Sequence, residues 1–161
     1  MIRIIEAREF HLPELVKIEN ACILPPWSEA DLRNEIGRSD GLFAIALENG
    51  AASGGDHIAE GGVLGFCILR RAGDEAELYQ IAVRKEARNR GVADSLMHSA
   101  IRYCRENKIG SIYLEVRKSN EAAIRLYRKH GFKNGGCRKN YYSSPVEDAV
   151  VMSLALDLDG S

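Results

Sequence analysis

The stretch "AELYQIAVRKEARNRGVADSLMHSAIRYCRENKIGSIYLEV", residues 76–116, constrains the fold more than any other. Glu77–Val83 has strand character, and Gly91 to Asn107 has helical periodicity. On that helix Val92, Leu96, Ala100 and Tyr103 form one stripe, with Ala93, Met97, Ile101 and Cys104 beside it. Gly110 suits the helix exit, and Ser111–Val116 is a second strand. A strand–helix–strand unit of this length predicts two parallel strands joined by a right-handed crossover.

The flanking segments fill out one sheet. "IRIIEA" is expected as a first strand, and "LPELVKIENAC" as a helix with Leu12, Leu15, Val16 and Ile18 apolar. "PPWSEADLRNEIGRS" predicts a second helix, with Ser28 as N-cap, acids in its first turn and Gly37 near its stop. "LFAIAL" and "GVLGFCILRR" are two strands, separated by a glycine-rich excursion over Asn49–Gly62. A further helix runs from about Asn120 to His130. "EDAVVMSLAL" is a last strand, hairpin-paired with Lys133–Cys137. The expected architecture is a single α/β domain over residues 1–161, with antiparallel N-terminal strands and the parallel unit at the centre of a mixed sheet.

Composition removes several function classes. A net charge of −1 makes any basic patch local, so nucleic acid is not expected as a partner. Cys22, Cys67, Cys104 and Cys137 are scattered without a C-x-x-C pair, which indicates neither a zinc site nor a redox motif. His11, His57, His98 and His130 show no ligand or triad spacing, and no metal is expected. "MIRIIEAREF" mixes charge with apolar residues, unlike an export signal or membrane span, so a cytoplasmic protein with reduced thiols is expected.

Arg84, Lys85, Arg88 and Arg90 crowd the junction where the strand runs into the helix. A solvated charged face accounts for them; so does an anion site. The first turn of a helix offers N–H groups without internal partners, at the carboxyl end of a parallel strand where ligands of α/β sheets bind. Neither G-x-x-x-x-G-K-[ST] nor G-x-G-x-x-G occurs, which excludes a P-loop or dinucleotide fingerprint.

"RNRGVA", Arg88 to Ala93, resembles the acyl-CoA pyrophosphate loop of the GNAT acetyltransferase superfamily, R/Q-x-x-G-x-G/A. "IAV" before it, "LEV" after it and "NEAAIRLYRKHGF" beyond are similar to three more elements of that superfamily, in the same order. "PPWSEADL", "LEVRKSNEAAIRLY", and "RKNYY" followed by "EDAVVMSL" resemble its RimI-type members, which acetylate the N-terminal alanine of a ribosomal small-subunit protein. The resemblance leaves out mainly Asn49–Gly62 and the last few residues.

That resemblance implies a GNAT-like fold and acetyl-CoA as co-substrate, with no metal and no covalent enzyme intermediate. It implies that Ile81, Ala82 and Val83 lie along the pantetheine arm, and that Asn89, Arg90, Gly91, Val92, Ala93 and Asp94 cradle the pyrophosphate through backbone amides. Asn120 would contact the cofactor. Glu115 takes the place of the general base and Tyr127 that of the general acid. The residues alone leave each role open. Glu115 shares the face of Ser111 and Tyr113, and could be a strand-end carboxylate emerging into water. Tyr127 falls seven positions after Asn120, on one helical face with it and Ile124, and could equally be a core aromatic.

On the acceptor side, Trp27 lies in a loop between the first two helices, and Tyr141 and Tyr142 in the turn before the last strand. They are expected to flank a peptide groove, with core closure and ordinary hairpin packing as the plain alternatives. The expected partner is a protein N-terminus of the small ribosomal subunit. A GNAT enzyme acting on a small amine or lysine, and a non-catalytic acyl-CoA-binding regulatory domain, are the competing expectations.

Overall fold

The structure, a computed structural model, describes residues 2–48 and 62–159; the Asn49–Gly62 excursion lies, but for Gly62, outside the described residues. Seven strands form one sheet in the order β1-β2-β3-β4-β5-β7-β6. They are β1 Ile2–Glu6, β2 Gly41–Glu48, β3 Val63–Ala72, β4 Glu75–Val83, β5 Ser111–Arg117, β6 Lys133–Ser143 and β7 Val146–Ala155. Helix α1 (Leu12–Cys22) and α2 (Glu29–Glu35) precede β2, α3 (Val92–Glu106) connects β4 to β5, and α4 (Glu121–Lys129) precedes β6. Among the described residues only β4 and β5 pair in parallel. The mixed α/β sheet therefore has the antiparallel start and central parallel crossover expected of it.

Each face of the sheet buries its own core. Phe43, Ile45 and Leu47 of β2 face Leu12, Leu15, Ile18 and Leu32 of α1 and α2, while Ala44 and Ala46 face Leu96, Met97 and Ala100 of α3. Strand periodicity of two requires this alternation, and an apolar residue at every step is what a strand covered on both faces needs. The small alanines on the α3 side leave room for a helix bearing Leu and Met. Ser28 caps α2 as its sequence suggests: its Oγ accepts from Asp31 N–H at 3.1 Å, and the Asp31 carboxylate accepts from Ser28 N–H at 3.2 Å.

Two irregularities shape what lies between β4 and β5. Their parallel ladder covers only Glu75–Glu77 against Ser111–Tyr113, whereas β5 pairs with β7 along its whole length. Beyond Glu77 the two strands part. In addition, Leu69 pairs with Leu78 while the adjacent Ile68 pairs with Gln80, so Tyr79 is an extra residue on β4. Such a bulge inverts the facing of everything after it. Ala76 and Leu78 belong to the core under α3, but Ala82 belongs to the core under α1.

The last hairpin is longer than the sequence indicates. β6 continues to Ser143, so Tyr141 and Tyr142 sit within a strand and not in a turn. The ladder skips between Arg138 and Tyr142, where Asn140 takes φ 51° and its N–H donates to Asp148 Oδ1 at 2.8 Å. This side-chain bond replaces a ladder bond, and polar residues in the skip hide the strand from a periodicity reading.

Candidate active site

Two grooves open where β4 and β5 part, and both are bordered by Cys22, Ile81 and Asn120. The first, about 440 Å³, runs along Ile81–Val83 and the start of α3, with Ala122, Ala123 and Leu126 of α4 as its far wall. The second, about 680 Å³, lies between the Leu24–Trp27 loop and the β6–β7 hairpin, over Leu78–Ile81 and Glu115–Arg117.

The first groove is framed mainly by backbone. After β4, a short 3-10 turn over Lys85–Ala87 leads to Asn89 (φ 62°) and Gly91 (φ 80°), and α3 opens at Val92. A Cβ on Gly91 would meet nothing within 4 Å, so the sign of φ, and not crowding, calls for glycine there. Ser95 N–H is the first to bond back, to Gly91 O at 3.0 Å, which leaves the N–H groups of Val92, Ala93 and Asp94 without intrahelical acceptors. The helix dipole adds partial positive charge at the same place. This arrangement can hold an anionic group through backbone donors.

The four clustered cations contribute less than their spacing suggests. Arg84 pairs with Glu14 at 2.8 Å, and Arg90 donates to both carboxylate oxygens of Glu48 at 2.9 Å. Arg88 borders the groove, donating to Val83 O at 3.2 Å and to Cys22 Sγ at 3.7 Å. The expected cofactor residues Ile81, Ala82, Val83, Asn89, Gly91, Val92, Ala93, Asp94 and Asn120 line the groove, while the Arg90 side chain turns to Glu48. Asp94 carries a second duty: its carboxylate accepts from Lys129 Nζ at 2.9 Å and lies 2.8 Å from His130 Nε2. Those two partners, Lys129 first, hold the carboxyl below the usual carboxylate range and tie the start of α3 to the end of α4. Asn120 caps α4, its Oδ1 accepting from Ala123 N–H at 3.2 Å.

Side chains build the second groove. Ile112, Leu114 and Val116 are buried under α3 and α4, so Glu115 points to the opposite face. There its Oε2 accepts from the Tyr141 hydroxyl at 3.1 Å and its Oε1 lies 3.1 Å from Arg138 Nε. Tyr142 stands edge-on to Tyr141 with centroids 5.0 Å apart, and the Arg117 guanidinium lies 4.2 Å from its ring centre. Burial pushes the Tyr142 phenol up to about 12. Trp27 packs 6.2 Å from Tyr79, the bulged residue. The three aromatic residues expected at an acceptor groove thus border one groove with Glu115.

Tyr127 is placed differently. It is 7% exposed, packed among core residues with its ring 5.7 Å from Phe132, and burial pushes its phenol well above the ordinary value. Asn120 reaches both grooves, whereas Ile124 and Tyr127, on its helical face, turn into the core. The lining that α4 gives the first groove comes from Ala122, Ala123 and Leu126.

Sequence reasoning missed Glu19, Gln80, Arg117 and Arg138. Glu19 left a signal, because it follows Leu15 by four positions on the apolar stripe of α1. Gln80 left none, since its orientation depends on the bulge. Glu19 is fully buried, and burial raises its carboxyl despite hydrogen bonds from Trp27 N–H and Gln80 Nε2. None of the four cysteines is bridged. Among the described residues no three His, Cys, Asp or Glu side chains group to hold a metal ion, and no helix is long and apolar enough to cross a membrane.

The sheet thus parts at its parallel pair, and backbone N–H groups able to hold an anion lie on one side of the gap. Residues 12–132 match the Acetyltransferase (GNAT) family, and the chain belongs to that family. It is 35% identical over 155 residues to a ribosomal protein bS18-alanine N-acetyltransferase of Haemophilus influenzae, covering 94% of this chain and 96% of the relative. It is 33% identical over 159 residues to the like-named protein of Haemophilus ducreyi, covering 97% and 100%. Among solved structures, the ribosomal-protein-S18-alanine N-acetyltransferase of Escherichia coli superposes with a TM-score of 0.84 at 30% identity, over 100% of this chain and 97% of that one.

Proposed function

We propose that this chain transfers the acetyl group of acetyl-CoA to the α-amine of an N-terminal alanine, that of ribosomal protein bS18, as a single-domain cytoplasmic enzyme. The names of the relatives supply the acceptor. The observation that carries the reading is the meeting of the two grooves at Cys22, Ile81 and Asn120, one groove lined by backbone donors and the other holding a carboxylate.

The first groove fits acetyl-CoA in kind. The free N–H groups of Val92–Asp94 suit a pyrophosphate, and Ile81–Val83 with Ala123 and Leu126 suit the apolar parts of the pantetheine arm. Acetyl-CoA supplies an acyl group on a thiolate leaving group. An N–H near the end of β4 would polarise the thioester carbonyl. Glu115 would take the proton of the incoming amine, directly or through one water. The task is modest for an α-amine, whose reference pKa near 7.7–8.0 lies far below that of lysine, about 10.4. The general-acid role expected of Tyr127 requires its phenol, which burial keeps protonated but which lines neither groove, to turn out of the core toward Asn120 before it could return a proton to the departing sulfur. Trp27, Tyr141 and Tyr142 would pack on the first residues of the acceptor.

The test is release of free CoA thiol from acetyl-CoA with short peptides that differ only in the first residue. Peptides beginning with alanine should be the preferred acceptors. Turnover of free polyamines in preference to any peptide would move the protein to small-amine chemistry. Binding of acetyl-CoA without turnover of any acceptor would make it a regulatory binding domain.

A further inference from the structure

Glu19 has no place in the chemistry above, yet its carboxylate sits at a junction. It lies in the last turns of α1 and is 0% exposed. Its Oε2 accepts from Trp27 N–H at 3.1 Å and from Gln80 Nε2 at 3.2 Å. Trp27 belongs to the loop that walls the second groove, and Gln80 to the strand beneath it. One buried oxygen atom thus joins two walls of that groove.

The arrangement is costly, which argues against an accident of packing. Glu19 Oε1 and Gln80 Oε1 are both buried without a protein hydrogen-bond partner among the described residues. An apolar pair of similar size would avoid both penalties and pack at least as well. What such a pair could not do is hold the Trp27 backbone. The Leu24–Trp27 loop contains Pro25 and Pro26, which have no N–H to donate, so Trp27 N–H is its first donor after Leu24. The bulge at Tyr79 has the matching effect on the other wall. It turns Gln80 toward α1, where without the extra residue Gln80 would face α3 with Ala76 and Leu78. Tyr79, the residue that makes the bulge, is also the ring against which Trp27 packs.

We infer that Glu19 is a positioning residue for the acceptor: its carboxylate clamps the Trp27 loop to β4 and thereby holds the peptide-binding wall in place. The inference rests on the second groove being the acceptor site. Glu19 touches neither substrate and exchanges no proton in the reaction. Its loss should be felt in acceptor binding and not in binding of acetyl-CoA, whose groove it does not border.

Three proteins decide the matter: wild type, Glu19→Ala and Glu19→Gln, each measured for peptide KM and kcat at saturating acetyl-CoA and for acetyl-CoA affinity by calorimetry. Glu19→Ala should raise the KM of an alanine-first peptide about tenfold or more, as expected for loss of charge-assisted hydrogen bonds. Its acetyl-CoA affinity should stay within about twofold of wild type, and Glu19→Gln, which keeps an acceptor oxygen, should restore KM to within about threefold. If Glu19→Ala does not accumulate folded, Gln80→Met removes one of the two donors and should show the same split. An unchanged KM, a parallel loss of acetyl-CoA affinity, or a glutamine variant as impaired as the alanine one would overturn the inference. A wild-type protein that acetylates no alanine-first peptide would instead remove the acceptor reading beneath it.

Discussion

The two grooves that meet at Cys22, Ile81 and Asn120 are built on opposite principles. The first is made mainly from a continuous piece of chain, Ile81 to Asp94, faced by α4 and Cys22, and the groups suited to an anion are backbone N–H groups at the start of α3. The second is made from four distant segments, around Trp27, Tyr79, Glu115 and Tyr141, and its polar groups are side chains. A groove lined by backbone tolerates substitution wherever φ is ordinary and fails where it is not. A groove of side chains gives way residue by residue. The donor is one invariant molecule, suited to a fixed cradle, whereas acceptor choice can be tuned by single side chains.

The largest expected effect breaks the first groove at its one special backbone position. Gly91→Asp forces a side chain onto φ 80° and sets a carboxylate toward the anion, so acetyl-CoA binding should be abolished in calorimetry. Ala93→Ser, in ordinary helical backbone beside it, should change acetyl-CoA affinity by less than about threefold, which sharpens the same point.

Next come the two groups assigned to proton transfer. Glu115→Gln should leave acetyl-CoA affinity unchanged while turnover falls by about 10²–10⁴-fold at saturating peptide. Tyr127→Phe should likewise spare binding and slow single-turnover acetylation by about tenfold or more. Tyr127 packs in the core, so a matched melting temperature is needed to separate lost chemistry from lost packing.

Smaller effects should distinguish the grooves by pH, because each has a carboxylate beside it and the two are shifted in opposite directions. Asp94 titrates below its ordinary value of 3.8 when folded, so it stabilises the fold above that pH and loses this contribution as pH falls through its lowered pKa. Glu19 titrates above its ordinary value of 4.5 when folded, so its ionisation opposes folding increasingly above pH 4.5, and acidification relieves it. In thermal melts, Asp94→Asn should therefore lower stability at pH 7 and converge on wild type in strong acid. Glu19→Gln should be at least as stable as wild type at pH 7, with the difference vanishing near pH 4. The smallest effect is Ser28→Ala, which removes the cap of α2 next to the second groove and should cost about 1 kcal/mol in denaturant unfolding without altering acetyl-CoA affinity.

The same contrast explains what could be read from the chain before its structure. The first groove was legible because strand, turn and helix start follow one another, and Gly91 marks the left-handed residue where the turn ends. The role of the four cations was not legible: spacing placed them together, but Glu14 and Glu48, which take up Arg84 and Arg90, come from α1 and β2. In the second groove Glu115 stood out as an acid on an apolar strand, and Trp27 with the tyrosine pair as aromatics without an evident core position. The links among them were hidden. Gln80 faces Glu19 only because of one extra residue in β4, and Tyr141 reaches Glu115 only through the skip in β6. Neither irregularity has a glycine or proline to announce it.

One measurement addresses the central claim directly. A peptide beginning with alanine and containing an internal lysine is incubated with the protein and acetyl-CoA, and tandem mass spectrometry locates the acetyl group. A single acetyl on the α-amine, with no reaction once that amine is blocked, is the predicted result. An acetyl group on the lysine side chain, formed equally well on the blocked peptide, would contradict it.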